Sequence, residues 1–567
     1  TPHAIQGMFA SRLCYWLTEI GLKSVYVCPD LNYGAAVHAD KWIPILPNTD
    51  AALQLAIAYV WMTEGTYDKD YIAIHAYGFE KFEDYVLGQE DGVPKSPEWA
   101  SEKCGVPEWT IKALARDWAT KVTSLIHGNG GPTIRGPFST EPARLEVMLL
   151  GMQALGKPGR HQAKMIEWWF WREWNPIPYQ GKVRPQFVTF AETVRPAGSV
   201  DEKGMHRPLY AGDHPELRQL TRLTPNPPLQ SIPRCLVHDA LLHPPISWWG
   251  LHGFLEHTRE QFAEHTFPAP GCSEIHMIWT DAPCWITCWN DSNEYIRALQ
   301  QPSVETIVAQ HPWLENDCLL ADIILPVSTR FEMPDFGADV GSGTVTSIFM
   351  EDHCIDPVGE SLSDFEVVTK IAEKLGLEEE YTQGKTMEEK RKLSFEGSGI
   401  EPLVSWEELQ RKQYFVIPCT DEIKEQPPGL SPFCADPVNN PLTTPTGLLE
   451  YSASALEQHF PDDSERPPVP HWIEKSDFHD ERLSSKRSEA YPLLCMSNHP
   501  RWRMHAQADD ITWTREIGTM KVKGADGYLY EPVWLNPQEA ARRGITQGDI
   551  VKVFNERGIV LGGAYVT

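Results

Sequence analysis

The feature that most constrains this chain is a repeating order in which a short apolar run is followed by a loop and then by a segment of helical period. Parallel sheets require that order, because parallel strands need a crossover of a dozen or more residues, usually a helix. Residues 41–65, KWIPILPNTDAALQLAIAYVWMTEG, show it most plainly. The run beginning at Lys41 predicts a strand. Leu53, Ile57 and Trp61 then fall at helical spacing behind Thr49 and Asp50, either of which could cap the helix, and Gly65 is its stop. KSVYVCP just upstream predicts another buried strand, and EKFEDYVLG and PEWTIKALARDWATK predict helices. The strand SLIHGN, the loop GGPTIRG and a helix ending at LGKPG complete this first set.

A second α/β set runs through EIHMIWT, a helix near NEYIRALQ, and the strands ETIVAQ and ADIILP. The end of the chain, from EPVWLNP to Thr567, is different: short alternating strands, one short helix, and turn signals at Gly548-Asp549 and Arg557-Gly558, which fit a small β-barrel. A chain of 567 residues exceeds one hydrophobic core, so several domains are expected. The boundaries read here are an α/β domain at 1–160, an irregular insertion rich in Pro, Trp and His at 161–270, a second α/β domain at 271–375, an accessory or linker region at 376–487 that the sequence does not place, and the start of a barrel at 488–567. A long stretch without regular structure is uncommon unless functional, so the insertion is a candidate lid or substrate funnel.

With 23% charged and 41% hydrophobic residues and no apolar run near the roughly 18 residues a bilayer requires, the chain reads as globular with no membrane span. Its formal net charge of −28 excludes nucleic acid as a natural partner. A dinucleotide is not excluded, since pyrophosphates are held by backbone N–H groups and helix N-termini. Twelve scattered cysteines without disulfide-scaffold spacing point to thiols in a reducing, cytoplasmic compartment. Cys284 and Cys288, with His276 nearby, are either a metal-ligand set or buried thiols, and the spacing favours thiols. No four-cysteine run occurs, so no iron-sulfur cluster is expected in this segment. The chain opens on Thr1 without an initiator methionine and stops after a strand-like segment, so both ends are expected to be cut.

Four motifs, in order, carry a family resemblance. ADKWIPILPNTDAAL resembles the strand-loop-helix of the molybdopterin oxidoreductase (dimethyl sulfoxide reductase) family, in which a Gly-Thr-Asp turn meets a guanine. By that resemblance Asp50, beside Thr49, accepts from guanine N1–H and the exocyclic amine; a plain helix cap is the alternative. Asn48 stands where the family has glycine and also tolerates a left-handed backbone, whereas Cys28-Pro29 departs from the family's Asp-Pro pair. GNGGPTIRG resembles the glycine-rich crossing segment, with Arg135 at a recurrent arginine. WTDAP, VAQHPW and ADIILP resemble the elements binding a second dinucleotide, which implies roles for Thr280, Asp281, Gln310 and His311 at strand carboxyl ends. For Ala321, Asp322 and Pro326 a structural strand entry is the preferred reading. SNHPRWRMHAQ and NPQEAARRGITQGDIVKVFNERG resemble the family's C-terminal double-psi β-barrel, implying cofactor contacts from His499, Arg501, His505 and Asn536.

The resemblance therefore implies an α/β multidomain fold, with two Rossmann-like parallel α/β domains and a C-terminal double-psi β-barrel. It also implies a bis(molybdopterin guanine dinucleotide) cofactor carrying molybdenum or tungsten, a small-molecule substrate and an iron-sulfur, ferredoxin-like electron-transfer subunit. Residues 77–121 and VGESLSDFEVV resemble the pyrogallol-phloroglucinol transhydroxylase branch, which acts on phenols. Trp168, Trp169, Trp171, Trp174 and Tyr179 either line such a site or pack helices, and His161 and His252 are candidate acid/base groups. The family's metal-ligating side chain lies upstream of the segment that Thr1 begins, so no residue here is expected to ligate metal and the fragment alone is expected to be inactive. Hydration without net redox change, and a structural subunit that keeps the fold without cofactor, are the alternative functions.

Overall fold

The strand, loop and helix read from residues 41–65 form in the computed structural model, with the strand cut short. Lys41–Ile43 pairs in parallel with Val25–Val27, Lys41 opposite Val25 and Ile43 opposite Val27. Pairing ends there because Pro44 and Pro47 follow and offer no N–H to a ladder. The helix Asp50–Glu64 then runs to Gly65, whose φ of 67° gives the left-handed stop. Nine of its 15 residues are buried, which makes it a core helix enclosed on all sides rather than an amphipathic surface helix. Leu53, Ile57 and Trp61 are all inside. Helices Phe79–Leu87, Pro97–Cys104, Glu108–Thr120 and Thr140–Met152 surround it. The Trp61 indole donates to Ala115 O at 2.7 Å, so the one polar atom of this large side chain is satisfied inside the core. Pro97–Cys104 was not anticipated, although Ser96 capping Trp99 N and proline at the first helical position are its start signals.

The structure describes residues 14–128, 136–165, 230, 232–250, 262–339, 347–398, 400–416, 429–497, 502–503, 509 and 511–567. They belong to two units, the first comprising Thr1–Lys164, Phe433–Leu442 and Thr446–Thr567, the second Met165–Pro432 and Thr443–Pro445.

Much of the region expected as an accessory stretch is a wall of the first unit. Leu449–Glu450 adds in parallel to Ala76–Tyr77. Tyr451 is fully buried, and its hydroxyl donates to Met148 O at 2.7 Å. Arg144 donates to Pro467 O at 2.7 Å and also reaches Pro468 O, while Glu141 accepts from His471 N at 2.6 Å. Burial pushes the Glu141 carboxyl up to about 7 despite Arg144 beside it. Farther along, Pro532–Leu535 pairs in parallel with Ile559–Val566, which also pairs antiparallel with Ile550–Phe554. Gly562 and Gly563 sit where backbones cross closely, since a Cβ on either would come within 2.4 Å of Val533 or Val522.

In the second unit, Met277–Thr280, Thr306–His311 and Ile323–Pro326 form a parallel sheet with Thr306–His311 in the centre. Val237, Leu241, Ile278, Tyr295, Ala298, Leu299 and Ile307 form its core with the helices Val237–Leu242 and Ser292–Leu299. A separate antiparallel sheet, Asp335–Asp339, Ser347–Glu351 and Tyr414–Val416, carries a second core around Phe336, Ile348, Phe395 and Leu409. Within the stretch expected to be irregular, Ile246–Trp249 and Glu264–Phe267 pair antiparallel. Their β-branched and aromatic residues favour a pleated surface, which overrides the surrounding prolines.

Tyr451 and Gly151 supply a test of the wall. A Cβ at Gly151 would lie 2.6 Å from the Tyr451 hydroxyl and 3.1 Å from Leu449, neither of which has room to retreat. Gly151→Ala should lower stability by about 1–3 kcal/mol, read as a reduced urea midpoint. Gly518→Ala, where nothing lies within 4 Å, is the control expected to leave the midpoint unchanged.

Candidate functional site

The turn between Lys41–Ile43 and the core helix is fixed from several sides. Asn48 has φ 60°, so it takes the left-handed conformation expected of it, and its amide donates to Pro137 O at 3.0 Å. Thr49 is buried and sits at the N-cap, but its hydroxyl donates back to Leu46 O at 2.6 Å instead of capping the helix. Leu46 N in turn donates to Cys104 O at 2.9 Å. Asp50 is the first helical residue, with its carboxylate at the positive end of the helix dipole.

Asp50 is half-buried as a residue, with its carboxyl enclosed. Among the described residues no side chain donates a hydrogen bond to it. Burial pushes it up to about 7 and Glu146 adds negative charge, while its own backbone N–H and the Arg482 guanidinium act the other way. An enclosed carboxylate with no side-chain donor, at a helix N-terminus, is suited to a planar ligand that presents two parallel N–H groups.

The residues predicted for a second dinucleotide lie together at one end of the parallel sheet. Thr280 and His311 are the last residues of Met277–Thr280 and Thr306–His311, and Asp281 follows the first of these strands. His311 Nδ1 lies 2.9 Å from Asp281 O, which joins the two strand ends and makes Nδ1 the donor. His311 Nε2 is buried without a hydrogen-bond partner among the described residues, the Glu315 carboxylate lying 3.9 Å away, which leaves a polar atom open to a bound group. Gln310 is committed within the protein: it accepts from Trp279 Nε1 at 3.1 Å and donates to Asp364 Oδ1 at 2.5 Å. The Thr280 hydroxyl accepts from Ala282 N at 3.2 Å. Asp322 accepts from Ile307 N at 2.8 Å, the structural strand entry read from its sequence.

Asn536 caps the helix Pro537–Arg542, its side chain accepting from Gln538 N at 2.9 Å, which leaves its amide N–H₂ open to other contacts. Cys284 and Cys288 share a hydrogen bond that, with burial, pushes the Cys284 thiol up, as in a buried thiol pair. His276 Nδ1 instead faces Ser303 O at 3.1 Å. Among the described residues no three His, Cys, Asp or Glu side chains are grouped to hold a metal ion, and no helix is long and apolar enough to cross a membrane. His161 is described, and burial moves it below the usual imidazole range. Arg135, Trp168, Trp169, Trp171, Trp174, Tyr179, His252, His499, Arg501 and His505 lie outside the described residues.

Arg482 and Glu146 were not read from the sequence as parts of the Asp50 site. Glu146 is one polar residue on a helical face, and Arg482 lies 432 positions from Asp50 in a stretch without regular pattern, so no local signal marks either.

The Asp50 carboxyl gives a pH test. Its folded value of about 7 is above the usual 3.8, so folding opposes ionisation. The cost is absent below about pH 4, grows between the two values and is complete above pH 7. Asp50→Asn should therefore stabilise the cofactor-free protein above pH 7, by on the order of 1 kcal/mol or more, and have little effect near pH 4. Thermal unfolding across pH measures this, and a difference independent of pH would contradict it.

The family model "Molybdopterin oxidoreductase" matches residues 5–374, and "Molydopterin dinucleotide binding domain" matches residues 493–567. The pyrogallol hydroxytransferase large subunit of Pelobacter acidigallici is 33% identical over 97% of this chain, which spans 65% of that relative's length. The trimethylamine-N-oxide reductase of Haemophilus influenzae is 28% identical, with 96% of this chain and 60% of the relative covered. The structure of acetylene hydratase from Pelobacter acetylenicus superposes with a TM-score of 0.57 at 16% identity, covering 98% of this chain and 66% of the other, a likeness of fold alone. With a family model covering most of its length and a mixed α/β fold containing parallel sheets, the chain belongs to the molybdopterin oxidoreductase family of enzymes.

Proposed function

We propose that this chain is part of the catalytic subunit of an enzyme that binds a bis(molybdopterin guanine dinucleotide) carrying molybdenum or tungsten. The observation that carries this reading is Asp50, an enclosed carboxylate with no side-chain donor, presented on a fixed turn at a helix N-terminus. It fits the Watson–Crick edge of guanine, whose N1–H and exocyclic amine would donate to its two oxygens. Thr49 and the left-handed Asn48 hold the turn behind it. Thr280, Asp281 and His311 would receive the second dinucleotide at the sheet's carboxyl end, with Gln310 bracing it from behind. Arg135, His499, Arg501, His505 and Asn536 complete the proposed contact set, the last four within a C-terminal segment that we read as part of a double-psi β-barrel.

When bound, the metal centre supplies two-electron exchange of an oxygen or hydroxyl group with substrate. Within the described residues, the chain's own contribution is to hold the two nucleotides and fix their orientation. The substrate class we favour is phenolic, with hydroxyl transfer, because the relative spanning most of the chain at 33% identity is named a pyrogallol hydroxytransferase. That relative is also named a large subunit, which supports a partner subunit; an iron-sulfur subunit that carries electrons is the partner the family resemblance implies. No disulfide joins the described cysteines, in keeping with a cytoplasmic setting.

Two measurements on the complete protein test this. Asp50→Ala should reduce both the guanine nucleotide released on acid hydrolysis and the metal measured by mass spectrometry by about tenfold, the effect of losing roughly 1.4 kcal/mol. Unchanged content would reduce Asp50 to a helix-start residue, and absence of both molybdenum and tungsten from the native protein would remove the cofactor reading. Incubation with a trihydroxybenzene should yield a positional isomer without net consumption of reductant. Reductant-dependent turnover of an N-oxide with no phenol isomerisation would assign a reductase instead.

A further inference from the structure

Arg482 is a buried guanidinium, 8% exposed, with no carboxylate within ion-pair distance among the described residues. A buried charge without an ion-pair partner is costly, so what holds it is informative. Its Nε donates to Ile473 O at 3.0 Å and its Nη1 donates to the carbonyl of Asn48, the left-handed residue two positions before Asp50. Its planar face lies 3.8 Å from the Trp472 ring, with the Phe138 ring 5.1 Å away. Trp472 is itself anchored, its N–H donating to the Tyr85 hydroxyl at 2.9 Å and its indole to Glu474 at 2.8 Å. Phe138 belongs to the segment that also fixes Asn48, since Pro137 O accepts from the Asn48 amide and a Cβ on Gly136 would come 3.2 Å from that amide. The guanidinium is thus wedged against the turn that presents Asp50, held by rings and carbonyls from elements far apart in the chain.

The titratable groups near Asp50 come from three directions. Glu146 on the helix Thr140–Met152 opposes its ionisation, and Cys104 at the end of Pro97–Cys104 is a neutral thiol whose own ionisation Asp50 disfavours. Arg482 is the cation acting on it. The coupling is mutual: burial lowers Arg482 to about 10, while Glu474 and Asp50 act to raise it.

We propose that Arg482 is the positioning residue of the guanine site: it holds the Asn48–Asp50 turn through the Asn48 carbonyl and supplies the positive charge that faces the Asp50 carboxylate. It touches neither metal nor substrate. Its effect on the ligand is transmitted through the place and charge of Asp50, and the inference rests on the guanine reading given above.

The test uses the full-length protein purified from a host that makes no pterin cofactor, with guanosine monophosphate as the probe and calorimetry across pH as the readout. In the native protein, affinity should rise as pH passes through about 7, when Asp50 becomes a carboxylate able to accept twice. Arg482→Gln should weaken binding at pH 7 by about tenfold and move that midpoint up by about one pH unit. Arg482→Lys keeps the charge and loses the fork and the stack, so it should keep the midpoint near the native value while weakening binding. Thermal unfolding of each ligand-free variant establishes that it is folded. A merely structural arginine would lower affinity without moving the midpoint, so an unmoved midpoint in Arg482→Gln, or native affinity in Arg482→Lys, overturns the proposal. If Arg482→Gln does not fold, Arg482→Met, neutral and of similar length, supplies the midpoint reading in its place, and an unmoved midpoint there overturns the proposal equally. If Asp50→Asn leaves nucleotide binding unchanged, the guanine reading fails and this inference with it, whereas Asp50-dependent binding with an unmoved midpoint rejects Arg482 alone.

Discussion

The burial of the helix Asp50–Glu64 on every side is the constraint on which the first unit depends. A helix that shows alanine, leucine and isoleucine around its whole circumference cannot sit at a surface, so it recruits four neighbouring helices before its apolar area is removed from water. Each fully buried leucine or isoleucine contributes about 1.5–3 kcal/mol, which outweighs what any single polar contact at the turn supplies. The consequence for function is positional. Once the helix is locked in the core, its first residue is carried to a fixed point beyond the strand Lys41–Ile43, and that residue is an acid. Asp50 therefore has little freedom to relax away from an unfavourable environment.

Enclosure of that acid is completed from a distance in sequence. Residues 446–487 pack on the helices that surround the core, through Tyr451 on Met148, Arg144 on the Pro467 and Pro468 carbonyls, and Glu141 beneath His471. Local contacts alone would leave the N-terminal end of the core helix open to water. The returning segment removes that water, and with it the solvation that keeps an aspartate acidic, while delivering an arginine as partial compensation. Asp50 and Glu141 are both driven up to about 7 within this one wall. Their environments differ. Glu141 is satisfied by Arg144 and by His471 N, which marks it as structural, whereas Asp50 lacks a side-chain donor and so retains capacity for a ligand.

How much of this was legible in the sequence depends on the range over which a residue acts. Leu53, Ile57, Trp61 and Gly65 specify the core helix by spacing and by a left-handed stop, both local properties, and they stand where the pattern put them. Asn48 was readable for the same reason, since the left-handed turn is a property of one residue. The strands that end at Thr280 and His311 followed from the alternation of elements, the second running one residue past ETIVAQ. What was not legible is what long-range packing decides. Thr49 looks like a cap, but its hydroxyl turns to Leu46 O because the approach of Cys104 O to Leu46 N fixes the loop's path. The bridge that Gln310 makes from Trp279 to Asp364, 54 residues away, is a long-range contact that no local pattern marks. The stretch containing Trp472 and Arg482 has no period to read, and its meaning is given only by the rings and carbonyls it meets.

The net charge of −28 sharpens the role of these local devices. A ligand bearing pyrophosphates approaches a molecule whose overall field repels it, so affinity has to come from short-range groups that act inside the screening distance of about 8 Å at physiological salt. The two candidate sites do this with different chemistry. At Asp50 the proposed contact is between an acidic acceptor and an N–H donor edge of the ligand, so a global excess of acid is no obstacle there and the local balance of Glu146 against Arg482 matters. At the strand ends the arrangement is built on polar groups of the chain itself: the Thr280 hydroxyl on Ala282 N, and a histidine whose Nδ1–H donates to Asp281 O. The first, as proposed, depends on protonation, because burial raises its carboxyl to about 7. The second depends on the geometry of backbone and imidazole, which changes little with the charge carried by the rest of the chain.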